Sequence, residues 1–243
     1  MSTLKGESIS ITPQDVLTQS LTQQVDLGAR ATTGDGRYYR YMLNGAANTV
    51  AGKVYQGPAQ DTTNLNPSGG LTPAAAAIGA TSITITSSLT NTLNVVAGGF
   101  ATIAVTPGQG YTYKIKGNTA VSAAANMVVT LEDPLVIALT TSSRVNLYQN
   151  PYNGIVIAPA TMTNTIVGVP NAIYTAAYYA WIQTWGPCSC LQTGTGTCGT
   201  GLGYLQAGTS GSLAPAIAGT PILAHALGTN VTGEYDLVDL RIS

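Results

Sequence analysis

The residues most capable of chemistry crowd into one stretch, "AYYAWIQTWGPCSC", residues 177 to 190. It holds both tryptophans, Trp181 and Trp185, and two of the three cysteines, Cys188 and Cys190. With Cys198 the thiols are spaced C-x-C-x7-C. A structural zinc site takes four ligands, usually as two close pairs. Here the lone His225 would have to supply the fourth, and the spacing matches no familiar zinc module. A disulfide is a second option, with Cys198 reaching back across "LQTGTGT" to Cys188 or Cys190 once the protein meets oxidising surroundings. Free thiols in a turn-rich loop are the third and simplest reading.

Other candidates for chemistry thin out on inspection. "GTGTCG" (194–199) has the letters of a dinucleotide fingerprint, but no helix pattern follows and no acid appears until Glu234. Nucleophilic catalysis wants a base beside a Ser or Cys, and the single His225 sits in the apolar run "PILAHALG". Glu132-Asp133 precede Pro134 in a turn, while Glu234, Asp236 and Asp239 alternate along a strand-like run, where charges guard against wrong pairing. Neither cluster has the density of a calcium loop. No catalytic residue, metal site or cofactor is therefore expected.

The strand that must carry the aromatic stretch reads as two faces. Odd positions give Tyr179, Trp181, Gln183 and Trp185, and even positions give Tyr178, Ala180, Ile182 and Thr184. One aromatic face on a strand predicts core or interface. A stacking platform would need basic companions, and none lies nearby in sequence.

Around it, strand signals dominate: "SITITSSL" (82–89), "FATIAV" (100–105), "YTYKIKG" (111–117), "NMVVTLED" (126–133), "SRVNLYQ" (143–149), "GIVIAP" (154–159), "NTIVGV", "GYLQAG" and "GEYDLVDLRI". Turn formers bound each run, which predicts an all-β chain of sandwich or barrel-like modules. In the closing run, Tyr235, Leu237 and, after a slip, Leu240 and Ile242 form the expected apolar face. "TGDG" between two strand-like runs is a hairpin signal. That hairpin carries Asp26, Arg30, Asp35, Arg37 and Arg40. Pro13 after Thr12 marks a short-helix start, and a flexible arm is the other reading of the same polar stretch. The expected organisation is an N-terminal arm (1–24), a hairpin module and linker (25–66), one β module (67–150) and a C-terminal β module (151–243), with 57–77 as linker or long loop.

Charged residues make up only 8% of the 243, against about a quarter in ordinary domains. None occurs between Asp61 and Lys114, or between Arg144 and Glu234. A neutral, hydroxyl-rich surface suits a protein packed against others. The net charge of −1 gives no electrostatic basis for nucleic-acid binding. No run approaches the roughly 20 apolar residues of a membrane helix, and "MSTLKGESIS" has no signal-peptide core, so assembly in a cytoplasm without a membrane partner is expected.

In order along the chain, "DLGARATTGDGRYYRYMLNGAANTVAGKVYQGP", "GYTYKIKGN", "TLEDPLVIAL", "SRVNLYQNPYNGIVIAP", "YYAWIQTWGP" and "GEYDLVDLRI" resemble a family of tailed-bacteriophage structural proteins, the capsid decoration or cement proteins. The likeness spans about residues 25 to 243. The cysteine-bearing "CSCLQTGTGTC" departs from it. The resemblance implies a non-enzymatic β-rich virion protein on the outer capsid surface. Its partners would be the major capsid protein and its own copies, with a trimer favoured. Candidate contacts are the hairpin charges Asp26, Arg30, Asp35, Arg37 and Arg40, together with Trp181 and Trp185. The arm could add a strand to a neighbour's edge. The rival expectation is a tail-fibre or receptor-binding component, whose aromatic strand and "GTGTCGTG" loop meet host glycan.

Overall fold

The structure is a computed structural model describing residues 9–86, 90–122, 125–159, 162–193, 203–207, 211–216, 221–228 and 231–242. It is nearly all β, 42% strand and 2% helix, in two sheets of which one curls into a half-barrel. The chain divides into two compact units, Met1–Pro58 with Pro151–Ser243, and Ala59–Asn150. The hairpin segment and the C-terminal segment, expected as separate modules, therefore build one unit, and the second unit is an insertion between them. The physical reason is pairing: hairpin strands hydrogen-bond directly to strands from beyond residue 151.

The first unit opens with β1 (Ile9–Ser10), helix α1 (Pro13–Val16), β2 (Arg30–Thr32), β3 (Tyr38–Asn44) and β4 (Tyr55–Gln56). The inserted unit holds β5 (Ser82–Thr86), β6 (Phe100–Val105), β7 (Thr112–Asn118), β8 (Asn126–Leu131) and β9 (Arg144–Tyr148). The first unit then resumes with β10 (Asn153–Ile157), β11 (Ile166–Gly168), β12 (Tyr179–Leu191), β13 (Gly203–Ala207), β14 (Leu213–Pro215), β15 (Ala224–Ala226) and β16 (Tyr235–Arg241).

The inserted unit shows how the sequence pattern becomes a core. Its strand order is β5-β8-β7-β6-β9. Alternate residues point inward, so Ile83, Ile85, Ala101, Ile103, Tyr113, Ile115, Met127, Val129, Val145 and Leu147 share one buried cluster. The Thr, Lys and Asn residues between them face out. An open five-stranded sheet would leave β5 and β9 with unpaired edges. The stretch expected as linker fills that gap. Leu71 exchanges both backbone hydrogen bonds with Val145 of β9, at 2.8 and 2.9 Å, and Ala74 donates to Thr84 of β5 at 2.8 Å. Leu65 and Leu71 turn into the core. Residues 71 to 74 thus stitch the two edges together. Within 57–77 the chain passes from one unit to the other at Pro58/Ala59, and the stretch that follows is structural. Its Pro and Gly content disguised an irregular strand as a loop.

In the first unit β12 is the longest strand and lies between β3 and β16. The run "GPCSC" belongs to this strand, not to a turn. The closing strand β16 is interior, between β12 and β15, not at an edge. It alternates without a slip: Val238 and Leu240 are buried, as is Ile242 just beyond, while Tyr235 and Leu237 face outward.

The N-terminal segment, from residue 9 on, packs on its own sheet. Thr12 caps α1 in a reciprocal capping box with Asp15, and Pro13 occupies the first turn. β1 then pairs in parallel with β2. Ile11 and Val16 join Tyr39, Tyr41 and Trp181 in a buried cluster. Apolar burial outweighs the polar character of this stretch, which had suggested a free arm. Residues 1–8 lie outside the described residues.

Candidate functional site

Four adjacent strands, β2, β3, β12 and β16, carry Arg30, Arg40, Trp181, Trp185, Cys188 and Cys190 from among the residues singled out from sequence, and their register sorts these onto two faces. On β12, Tyr179, Trp181 and Gln183 lie opposite Leu43, Tyr41 and Tyr39 of β3. A register shift then intervenes, and Trp185 lies opposite Tyr38. Directly opposed residues point the same way, and neighbours on one strand point opposite ways. The bulge therefore sends Trp181 and Trp185 to opposite faces, where strict alternation had placed them together. Bulges exist to re-aim side chains in this manner.

The inner of these faces is closed. Trp181 meets Tyr41 edge-on at 5.0 Å, and Tyr41 stacks with Tyr179 at 6.0 Å. Trp181 is 8% exposed beneath the N-terminal segment. The Tyr174 hydroxyl donates to the Val16 carbonyl at 2.5 Å, pinning that segment down. Trp181 is thus a core residue and not an outward contact.

The other face is covered over Met42, Ala180 and Ile182, but the part of it beyond them is open, and a row of arginines and aromatic rings crosses it. The Arg30 guanidinium sits 4.2 Å above the Tyr38 ring, and the Arg241 guanidinium 4.2 Å above the Trp185 ring. Tyr38 lies opposite Trp185, and Trp185 opposite Arg241. Arg241 also pairs with Asp239 two residues away on the same face. The next positions along this face are Pro187 opposite Asp239, then Ser189 opposite Leu237. Leu237 is 55% exposed. Each cation–ring contact is worth about 0.5–1 kcal/mol when exposed. Their main effect is to hold flat, low-entropy side chains ready for contact.

Arg37, Asp35 and Arg40 are engaged locally, and Asp26 sits in a turn. Arg37 and Asp35 form an ion pair at 2.8 Å in the turn. Arg40 donates to the Gly28 carbonyl at 2.9 Å. The Asp26 carbonyl accepts from Ala29 at 2.9 Å, closing a turn before β2. Of the seven candidate contacts, Arg30, Arg40 and Trp185 share this face, with Arg40 engaged by the Gly28 carbonyl; Tyr38, Pro187, Leu237 and Arg241 were missed. Sequence offered one signal for them: Trp185, Pro187 and Ser189 alternate with buried Gly186, Cys188 and Cys190.

Asp35 shows how local the turn is. Hydrogen bonds from Arg37 and then Thr33 hold its carboxyl down to about 2, against an ordinary 3.8. A depressed folded-state value means stabilisation that is complete above pH 3.8 and disappears as pH falls through about 2. Asp35→Asn is expected to remove that acid-limb dependence at the turn, as read by NMR titration of the Gly36 and Arg37 amides between those pH values.

The thiols do no visible chemistry. Cys188 and Cys190 are free and buried on one side of β12, packed with Val238 and Leu240. Hydrogen bonding with Cys188, and then burial, pushes the Cys190 thiol well up, away from the reactive thiolate. Cys188 and Cys190 are not joined to each other, and the disulfide expected as a second option, from Cys198 to Cys188 or Cys190, falls on Cys198, which lies outside the described residues, as does the 194–201 loop. Among the described residues no group of three or more His, Cys, Asp and Glu is placed to hold a metal. Both thiols are expected to resist alkylation in the native protein and to react fully in denaturant, as counted by mass spectrometry. His225 lies opposite Asp239 across β15 and β16.

No helix among the described residues is long and apolar enough to cross a membrane. Comparison with protein-family models, with curated proteins and with solved structures gave no match.

Proposed function

We propose that this chain is a non-enzymatic head decoration protein of a tailed bacteriophage, seated on the outer surface of the capsid, where it ties capsomers together. The observation that carries the reading is the open face of β2, β3, β12 and β16, with Arg30, Tyr38, Trp185, Pro187, Leu237 and Arg241 presented on one rigid sheet. Arginine and aromatic residues are the types enriched where proteins meet. Strands hold them more firmly than a loop would, which lowers the entropy cost of docking. The sparse charge elsewhere and the family resemblance in sequence point the same way. On this reading the major capsid protein and further copies of the chain, as a trimer, are the partners, and contacts at several capsomer edges add by avidity. Neither nucleic acid nor membrane takes part, and assembly occurs in the host cytoplasm.

The test is copy number in purified particles, by quantitative mass spectrometry against the major capsid protein. A ratio within a few-fold of one supports decoration. A few copies per particle would overturn it in favour of a tail-fibre or receptor-binding component. Arg30→Ala with Arg241→Ala is then expected to leave the fold intact and to lower occupancy on the particle.

A further inference from the structure

Arg30 of β2 and Arg40 of β3 stand directly opposite each other. Directly opposed side chains share a face, and like charges so placed repel. Among the described residues of this sheet, ion pairs join Arg37 to Asp35 and Arg241 to Asp239, and neither pair includes Arg30 or Arg40. Arg40 donates one N–H to the Gly28 carbonyl at 2.9 Å, which steadies its side chain and leaves its other donors. Arg30 is exposed, and its guanidinium lies over the Tyr38 ring. Among the described residues its N–H groups meet no acceptor. The chain has only 9 lysines and arginines in 243 residues. Two of them set face to face without an acid make a local concentration of positive charge.

We infer that Arg30 and Arg40 together take a carboxylate from an acidic segment of the docking partner, a stretch of protein with side-chain carboxyls at one end and apolar side chains along the rest. This deepens the reading of the face as a docking surface and rests on it. A carboxylate between the two guanidinium groups replaces repulsion with charge-assisted hydrogen bonds, which arginine makes in pairs. Charge complementarity thus defines the head of the segment, and the rest of the face defines its body. From Arg40 the surface runs through Tyr38 and Trp185 to Arg241, then along β16 to the exposed Leu237, with exposed Pro187 beside it. Arg30 on β2 lies about 14 Å from Arg241 across the strands, and Leu237 about 13 Å further along β16. An extended segment of about ten residues covers that path. A free anion is best held in a concave site, whereas these residues stand on an open strand surface. A polynucleotide needs open ring faces for its bases, and Arg30 and Arg241 already lie over Tyr38 and Trp185. The chain's net charge of −1 opposes it further.

The test uses the isolated full chain and capped decapeptides with adjacent glutamates at one end, leucines further along, and glycine and serine between. The glutamates are placed at either end in turn, so both directions of the segment are sampled. The same peptides with glutamine for glutamate, inorganic phosphate and a short oligothymidylate are the rivals. Binding is read by NMR at the side-chain signals of Arg30, Arg40 and Trp185. At least one glutamate peptide is expected to saturate in the millimolar range or below and to bind about tenfold more tightly than its glutamine counterpart. Its affinity should fall as salt rises from about 50 to about 300 mM. Arg30→Gln should weaken it by about tenfold or more. The same change should leave the unfolding midpoint unchanged or higher, because it removes a like-charge contact. No saturation with either glutamate peptide, equal binding of the glutamine versions, or tighter binding of phosphate or oligothymidylate would each overturn the inference. So would a lowered midpoint with full affinity in Arg30→Gln, which would make Arg30 a structural residue. Peptide binding with a low copy number in the particle keeps this inference and moves the partner to the tail. A copy number near that of the major capsid protein without peptide binding keeps decoration and removes the inference.

Discussion

Trp181→Ala is expected to destabilise the first unit by about 3–5 kcal/mol, the usual cost of removing a large buried aromatic side chain. The local geometry gives the reason. Trp181 is packed edge-on against Tyr41 and shares its cluster with Ile11, Val16, Ala31 and Tyr39. Three separate elements rest on that ring: the N-terminal segment, the β2–β3 hairpin and β12. Truncation leaves a cavity that none of them can close alone, because Tyr39 and Tyr41 are fixed by backbone pairing with β12. The N-terminal segment has the fewest other attachments and should loosen first. Hydrogen exchange would show the Ser20 and Tyr179 amides losing protection before those of β16. Trp185→Ala makes the contrast. Its ring lies on the open face under Arg241, and surface changes of this kind cost about 0.5–1 kcal/mol. Chemical denaturation of both variants decides the matter. Equal losses would mean that the bulge does not divide the two tryptophans between core and surface.

That division also marks where the sequence stops being legible. Period-two alternation was enough to place the strands of the inserted unit and most of those beyond residue 151, because each has one wet and one dry face. It was enough for the hairpin at "TGDG" and for the short helix after Thr12. It failed at Trp185, because a bulge reverses the parity of everything that follows and leaves no mark in residue type. It failed for Leu71 and its neighbours, because proline and glycine near an irregular edge strand look like any loop. It failed for β16, where Tyr235 and Leu237 are apolar yet face outward while Val238 and Leu240 fill the core. An apolar side chain announces burial or contact, and only the register tells which. The open face was half visible for the same reason. Arg30 and Trp185 stood out by type, while Tyr38 and Arg241 acquire meaning only from pairing between strands distant in sequence.

The inserted unit offers the second large effect. Gly99→Ala is expected to cost about 3 kcal/mol, the upper end of what overpacking usually costs. A Cβ at Gly99 would stand 2.0 Å from the Tyr148 carbonyl oxygen and 3.0 Å from that of Val96. Both obstacles are backbone, so no rotamer change relieves them. Moving Tyr148 would pull β9 from β6, since Phe100 and Tyr148 are paired across those strands. Moving Gly99 would break its own carbonyl's bond to Ile115, at 2.9 Å, and so disturb β7. Strain at this one atom therefore reaches three of the five strands. Gly34→Ala is the matched control. A Cβ there meets nothing within 4 Å, and restricting the unfolded chain should leave stability unchanged or raised by about 0.4–1 kcal/mol. Amide exchange at Ile103, Ile115 and Leu147 reports on the inserted unit, and both tryptophans report on the other. Gly99→Ala should strip protection from those three amides. If it instead leaves them protected and stability unchanged, the close approach of β9 to the 97–99 turn is wrong, and with it the closure that makes β5 to β9 a single core.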